Sequence, residues 1–377
     1  MKIARIEAFP FDLNYIRDRE FLVSYGVIDA IKNAAIRITT DDGLEGWGEL
    51  MPLPLDNRDE CLEKMKPIAK TVIGQDPFEI REIHARMDEQ LSDEPWSDEL
   101  LPKGAIDFAL YDIMGKAAGL PVYKLLGGEY DDGVPMHFSI SIRSPEEMGE
   151  DTAARVAEGF QAIEVKLGRY FGELDLDTEV ARIAAIREAA GTDVVIIADP
   201  NIGWTAEEAI EVLPAMEEFN IYVEQPVKGL DDLKKVRDAI NSPLIADESA
   251  ANAKVLAEII RRDAVDMINL KILRTGGLHE ACKMLDMCEA FGIGYRHDNV
   301  IQSRLASTTM IHFSTTYRRS LPDCGGTQFT RTVEDVVNAG EGVYMEGGTA
   351  KLYDPDAPGI GATPNPAMLG DTILIAD

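Results

Sequence analysis

The chain has 377 residues, of which 45% are hydrophobic, 28% charged and 7% aromatic, enough for one large barrel with additions or two unequal domains and with no compositional sign of disorder. Sixty-seven acidic residues against 37 basic ones leave a formal charge of −30, which excludes nucleic acid and anionic membrane as partners because both would be repelled. Only five histidines are present, so any metal is expected among carboxylates, which favours a hard ion such as Mg2+.

The N-terminal stretch carries Arg5, Glu7 and Asp12 where a secretory signal needs an unbroken apolar run, and no later stretch approaches membrane-spanning length, so a cytoplasmic protein is expected. Residues Ile3 to Phe9 and Ala34 to Thr39 read as strands, and Asp42-Gly43 is a turn signal into a third strand at Leu44 to Glu49. Helical patterns follow at Asp59 to Ile73, Phe78 to Leu91 and Gly104 to Ala118, the last stopped by Gly119 and Pro121. Residues 1–125 are therefore expected to form an α+β module.

From Val134 the texture changes to short β-rich runs, each followed by an amphipathic helical segment: Met136 to Ile142, Ala162 to Leu167, Val194 to Asp199, Ile221 to Glu224, Leu244 to Asp247, Met267 to Lys271, Gly292 to His297, and a weaker run near Leu321. Eight such units predict an α/β fold, a (β/α)8-type TIM barrel over residues 126–324. Thr205-Ala206-Glu207-Glu208 is a capping box, Val180, Ile183, Ile186 and Ala190 mark one helix face, and Gly191 and Gly292 stand where helices should stop. Cys282 and Cys288 fall in an apolar stripe, and these two with Cys61 and Cys324 lack paired metal-ligand spacing, which predicts buried thiols. Residues 325–377 return to loops and strand-like pieces, with Pro355, Pro358, Pro364 and Pro366 excluding a long helix, and are expected to pack back on the first module as part of the α+β capping domain.

Four consecutive barrel runs end on an ionisable side chain: Asp199, Glu224, Asp247 and Lys271, spaced 25, 23 and 24 residues apart. One barrel unit separates each from the next, which brings all four to the C-terminal rim where barrel active sites lie. Three carboxylates converging there repel by several kcal/mol per pair at an effective dielectric of about 20, and a divalent metal relieves this. Taken singly, each acid could instead cap the helix that follows it. Lys166, ending the second run, and Lys271 flank the proposed metal. A lysine desolvated near cations has a lowered pKa, as a base for carbon acids needs, while the plainer role is an ion pair with one of the acids.

The ordered set of Lys166 in EVKLG, DPNIGW with Asp199 and Asn201, VEQP with Glu224, ADES with Asp247, and NLKILRTGG with Lys271 resembles the muconate-lactonizing subgroup of the enolase superfamily. The resemblance runs over the whole chain, with SYGVIDAIKNAAIRITTDDGLEGWGE similar to the capping domain and its mobile loop, IDFALYDIMGKAAGLPVYKLLGG to the entry into the barrel, and PGIGATPN to the tail. It implies that Asp199, Glu224 and Asp247 bind Mg2+, that Lys166 and Lys271 are the acid/base pair on opposite faces of the substrate, and that the α-proton of a small-molecule carboxylate is removed to give a metal-stabilised enolate. Relatives of this kind are commonly symmetric assemblies, so a homo-oligomer is expected.

The sequence departs from the subgroup's pattern at Glu164, where a lysine usually stands. Alternation points Glu164 and Lys166 to the same side, so the carboxylate should raise the pKa of Lys166 and make Lys271 the better base. The run YRHDNVIQS lacks the glutamate that lactonizing relatives carry near Gln302. Its His297-Asp298-Asn299 cluster suits a substrate ammonium and looks more like relatives acting on proline-type amino acids or betaines. Tyr25, Glu164, Asn201, Glu248, His297, Asp298 and Gln302 are thus the expected substrate-side residues, with Glu248 also suited to orienting its neighbour Asp247; Trp47 either closes over the substrate or packs within its hairpin. A racemase or epimerase leads this reading. A muconate-type cycloisomerase or an acid-sugar or hydroxy-acid dehydratase shares its chemistry, and a Schiff-base aldolase or a barrel that only binds a metabolite are the more distant alternatives.

Overall fold

The computed structural model describes every residue except 18, 53, 54, 56, 93–98, 131, 170–173, 299, 318–320, 322–324 and 326. Cys324 and Asn299 therefore lie outside the described residues, while Cys61 and Cys288 are buried and Cys282 is half-buried.

The chain opens with β1 (Ile3–Asn14), the short hairpin β2 (Phe21–Val23) and β3 (Gly26–Ile28), then β4 (Ala30–Thr40) and β5 (Glu45–Leu50). Helices α1 (Arg58–Lys70), α2 (Ile80–Asp88), α3 (Leu100–Ala118) and α4 (Val122–Leu125) follow. In β5 the alternation ends in glycines because α3 lies directly on the strand. A Cβ on Gly46 would meet the Ala109 carbonyl oxygen at 2.3 Å, and one on Gly48 the Ala105 carbonyl oxygen at 2.1 Å. Gly119 ends α3 in the left-handed region (φ +68°), as its position in the sequence predicts.

After β6 (Val134–Pro135) come β7 (His137–Ile140), α5 (Pro145–Ala157), β8 (Ala162–Lys166), α6 (Leu176–Ala190), β9 (Val195–Asp199), α7 (Ala206–Met216) and β10 (Ile221–Glu224). They continue through α8 (Leu230–Arg237), β11 (Leu244–Ala246), α9 (Ala253–Arg262), β12 (Met267–Lys271), α10 (Leu278–Phe291), β13 (Gly294–Asp298) and α11 (Arg304–Ser314). Strands β7 to β13 form one parallel sheet in sequence order, and the capping box at Thr205 is present with Glu208. The eighth expected run falls largely on residues outside the described ones. Leu321 itself is buried in a cluster with Ile197, Ile245 and Met267, all from strands of the sheet.

The tail adds β14 (Val343–Glu346), β15 (Thr349–Leu352) and β16 (Ile373–Ala376). Strand β16 pairs antiparallel with β1 and completes the order β16-β1-β4-β5, so the C-terminus does return to the first sheet. Cap and barrel also share carboxylates. Glu49 of β5, fully buried, accepts from the Ser303 and Ala306 amides and the Ser303 hydroxyl at the start of α11, and Asp107 of α3 accepts from the Leu278 and His279 amides at the start of α10.

Candidate active site

Alternation along the barrel strands sorts the side chains into a rim and a wall. Lys166, Asp199, Glu224 and Lys271 each end a strand with the side chain turned inward, and one step further down the same faces stand Glu164 and Asn269. On β13 the inward residues are Arg296 and Asp298. A cleft of about 120 Å3 opens over them, lined by Lys166, Lys271, Glu164, Asn201, Glu248 and Asp298 together with Phe21 and Tyr25 of the β2–β3 hairpin.

One ligating oxygen each from Glu164, Asp199 and Glu224 lies within 4.8 Å of the others. This donor set is all oxygen and buried, and it fits a hard divalent cation. Burial pushes Asp199 up to about 7 and Glu224 to about 8, helped by the neighbouring carboxylates Glu164 and Asp247, although Lys166 and Arg296 pull the other way. That crowding is the electrostatic condition a cation relieves. Asp247, expected as the third ligand, stands within electrostatic reach of both, but its oxygens are engaged by Lys271 (2.6 Å) and by Arg274, which hold its carboxyl below the usual range against burial. The carboxylates are thus partly neutralised by the chain itself, contrary to the expectation that only a metal relieves their repulsion.

Lys166 donates to Asp199 and stands 2.6 Å from Glu164. Burial by itself would lower both lysines, yet Asp199 and Glu164 outweigh it at Lys166, and Asp247 and Asp298 at Lys271, so each is raised. The expectation that Glu164 raises Lys166 is met. The expectation of a depressed lysine is not, because carboxylates rather than cations are the nearest charges.

Several residues carry this site that strand-end reading did not single out. Arg296, fully buried, donates to Glu224, lies 3.4 Å from Glu164 and meets His137 Nδ1 at 2.6 Å. Asn269 donates to Glu224 (2.7 Å) and to Asp298 (3.0 Å), and Ser139 donates to Glu164 (3.1 Å). Of the substrate-side residues that the sequence did single out, Asn201 donates its amide to Asp199, and Glu248 is pushed up to about 7 by burial and Asp247.

Two expectations, His297 and Gln302 as substrate contacts, need correction, and the alternatives left open for Trp47 are resolved towards packing. His297 faces outward, stacked with Tyr295, packed on Phe313 and paired with the Ser314 hydroxyl at 3.2 Å, because on β13 it has the opposite parity to Asp298. Gln302 is turned to Ser307 (3.4 Å) instead of the cleft, whose wall at this point is Val300 and Ile301. Trp47 packs on Phe9 with Arg37 over its ring, inside the cap. Tyr25, 65% exposed, does line the cleft from the hairpin.

A model of the mandelate racemase/muconate lactonizing enzyme N-terminal domain matches residues 6–127, and one described as enolase C-terminal domain-like matches residues 147–368. The chain belongs to the mandelate racemase/muconate lactonizing enzyme family of the enolase superfamily. The hydrophobic dipeptide epimerase of Enterococcus faecalis is 36% identical over 279 residues, 72% of this chain and 76% of that one. The cis-3-hydroxy-L-proline dehydratase of Roseibium aggregatum is 31% identical over 381 residues, 99% of both chains. Among solved structures, a dipeptide epimerase from Cytophaga hutchinsonii complexed with Mg and the dipeptide D-Ala-L-Val superposes with a TM-score of 0.89 at 28% identity, covering 100% of both chains. No described helix is long and apolar enough to cross a membrane.

Proposed function

We propose that this family member is a Mg2+-dependent racemase or epimerase of a small amino-acid-type carboxylate, with Lys271 and Lys166 exchanging the α-proton on opposite faces. The observation that carries this reading is that both lysines line one cleft from the sixth and second barrel strands, with Asp199, Glu224 and Asp247 on the strands between. Asp199 and Glu224, with Asp247 or Glu164 completing the set, would hold the cation. Bound there, it would supply the positive charge that makes a carbon next to a carboxylate acidic.

The chain's own residues do the rest. Lys271, an ammonium while Asp247 and Asp298 hold it, would first give its proton to solvent as Asp247 turns from it, and as the free amine would take the α-proton while the C–H electron pair passes into the substrate carboxylate. Lys166, kept protonated by Asp199 and Glu164, returns a proton to the other face. Asp298, held by Asn269, meets a substrate ammonium, and the hairpin residues Phe21 and Tyr25 cover it.

The Glu164–Lys166 pair supports a second reading, β-elimination from a hydroxy-amino acid, in which the Lys166 ammonium protonates the departing hydroxyl. Incubation in D2O with Mg2+ and a panel of prolines, hydroxyprolines, betaines and dipeptides separates the readings. Epimerisation exchanges the α-hydrogen and inverts the centre, elimination releases water, and neither exchange nor water release with any of them defeats both.

A further inference from the structure

We propose that His84, His279 and Glu280 form a second cation site, for a zinc-class ion, at the seam between cap helix α2 and barrel helix α10. One ligating atom of each lies within 4.8 Å of the others, and the two imidazole rings are 4.4 Å apart. This cluster shares no residue with the catalytic cleft.

His84 is 1% exposed, and its two nitrogens have different surroundings. Nε2 lies 2.7 Å from Asp107 Oδ2, which fixes it as the protonated donor. Nδ1 is buried 3.4 Å from Glu280 Oε1, in a contact without hydrogen-bond geometry, and so points an unbonded nitrogen into the cluster. A carboxylate behind one nitrogen and an open second nitrogen is how metal-binding histidines are oriented. Asp107 also accepts from the His279 amide and from Leu278, so one side chain sets the position of His84 and of the helix turn that carries the other two ligands.

Two imidazoles and one carboxylate suit Zn2+ or Co2+, with water as a fourth ligand, and suit Mg2+ poorly. Two ammonium groups compete for Glu280 Oε1, Lys283 at 2.9 Å and Lys103 at 3.2 Å. Lys103 also donates to Asp88, which retains it when Glu280 turns to the ion, and Lys283 is half exposed and free to turn to solvent.

The test uses the full chain, stripped with chelator and then titrated with Zn2+ or Co2+ in saturating Mg2+. The expected result is one equivalent retained through dialysis against Mg2+, a visible tetrahedral Co2+ band, and a raised melting temperature. His279→Gln, altered at a half-buried position, should weaken this binding at least tenfold with Mg2+-dependent turnover unchanged, and His84→Gln should do the same. Asp199→Asn, altered in the cleft, should keep it. No retained equivalent in the wild type, an equivalent undiminished in both histidine variants, or one that Mg2+ displaces would overturn the proposal.

Discussion

Lys271 Nζ stands 2.6 Å from Asp247 Oδ2 and 3.7 Å from Asp298 Oδ2, so the sixth-strand lysine bridges the carboxylate of one neighbouring strand and that of the other. Its ammonium is therefore bound on the side from which a substrate would be deprotonated. Lys271→Ala is expected to lower turnover by about 10²–10⁴-fold. If it removes only the proton acceptor, α-hydrogen exchange in D2O falls with it while Mg2+ affinity does not. Unchanged exchange would assign the base elsewhere.

Adding Mg2+ should raise the melting temperature, because a ligand that binds only the folded state stabilises it by about 2.7 kcal/mol at a hundredfold excess over Kd. Asp199→Asn should remove that rise. Calorimetry of both proteins with and without chelator measures it, and an equal rise in the variant would exclude Asp199 as a ligand.

Arg296 is a cation without exposure, set beneath Glu224 and Glu164. Arg296→Met leaves two buried carboxylates without it and should cost about 3–5 kcal/mol in urea unfolding. Adding Glu164→Gln to that variant should return part of the loss. A neutral effect of Arg296→Met would mean that Asn269 and Lys166 suffice to hold the acids.

His312 sits in α11, fully enclosed, with Nε2 3.0 Å from the Ile360 carbonyl, and burial lowers its pKa to about 4. The unfolded chain binds this proton first, at about 6.5, so the contribution to stability is complete above that pH and is lost as pH falls towards 4. Between pH 7.5 and 5 this one group should remove about 2 kcal/mol. Unfolding of His312→Gln should show a correspondingly shallower decline than the wild type over the same interval.

Much of the barrel was legible because its units repeat. Four successive apolar runs ended on a charge at nearly constant spacing, and those charges line one rim. Less legible was anything that depended on strand parity. His297 and Asp298 are adjacent in sequence, yet pleating sends one into the α11 packing and the other into the cleft. The same rule would have found Arg296, two residues before Asp298, had the inward face been assigned first. The β2–β3 hairpin, three residues a side, was too short to show a period, although Phe21 and Tyr25 make it part of the cleft. The carboxylate–cation pairing, Lys271 and Arg274 on Asp247 and Arg296 on Glu224, joins side chains from different strands and emerges only when the sheet curls.

Glu49 and Asp107 belong to the cap, yet the amides they satisfy open two helices of the barrel. A chimera that grafts this cap onto another family member's barrel would therefore inherit two acids whose helix partners must match in register, and a barrel cut free of its cap would carry bare helix starts.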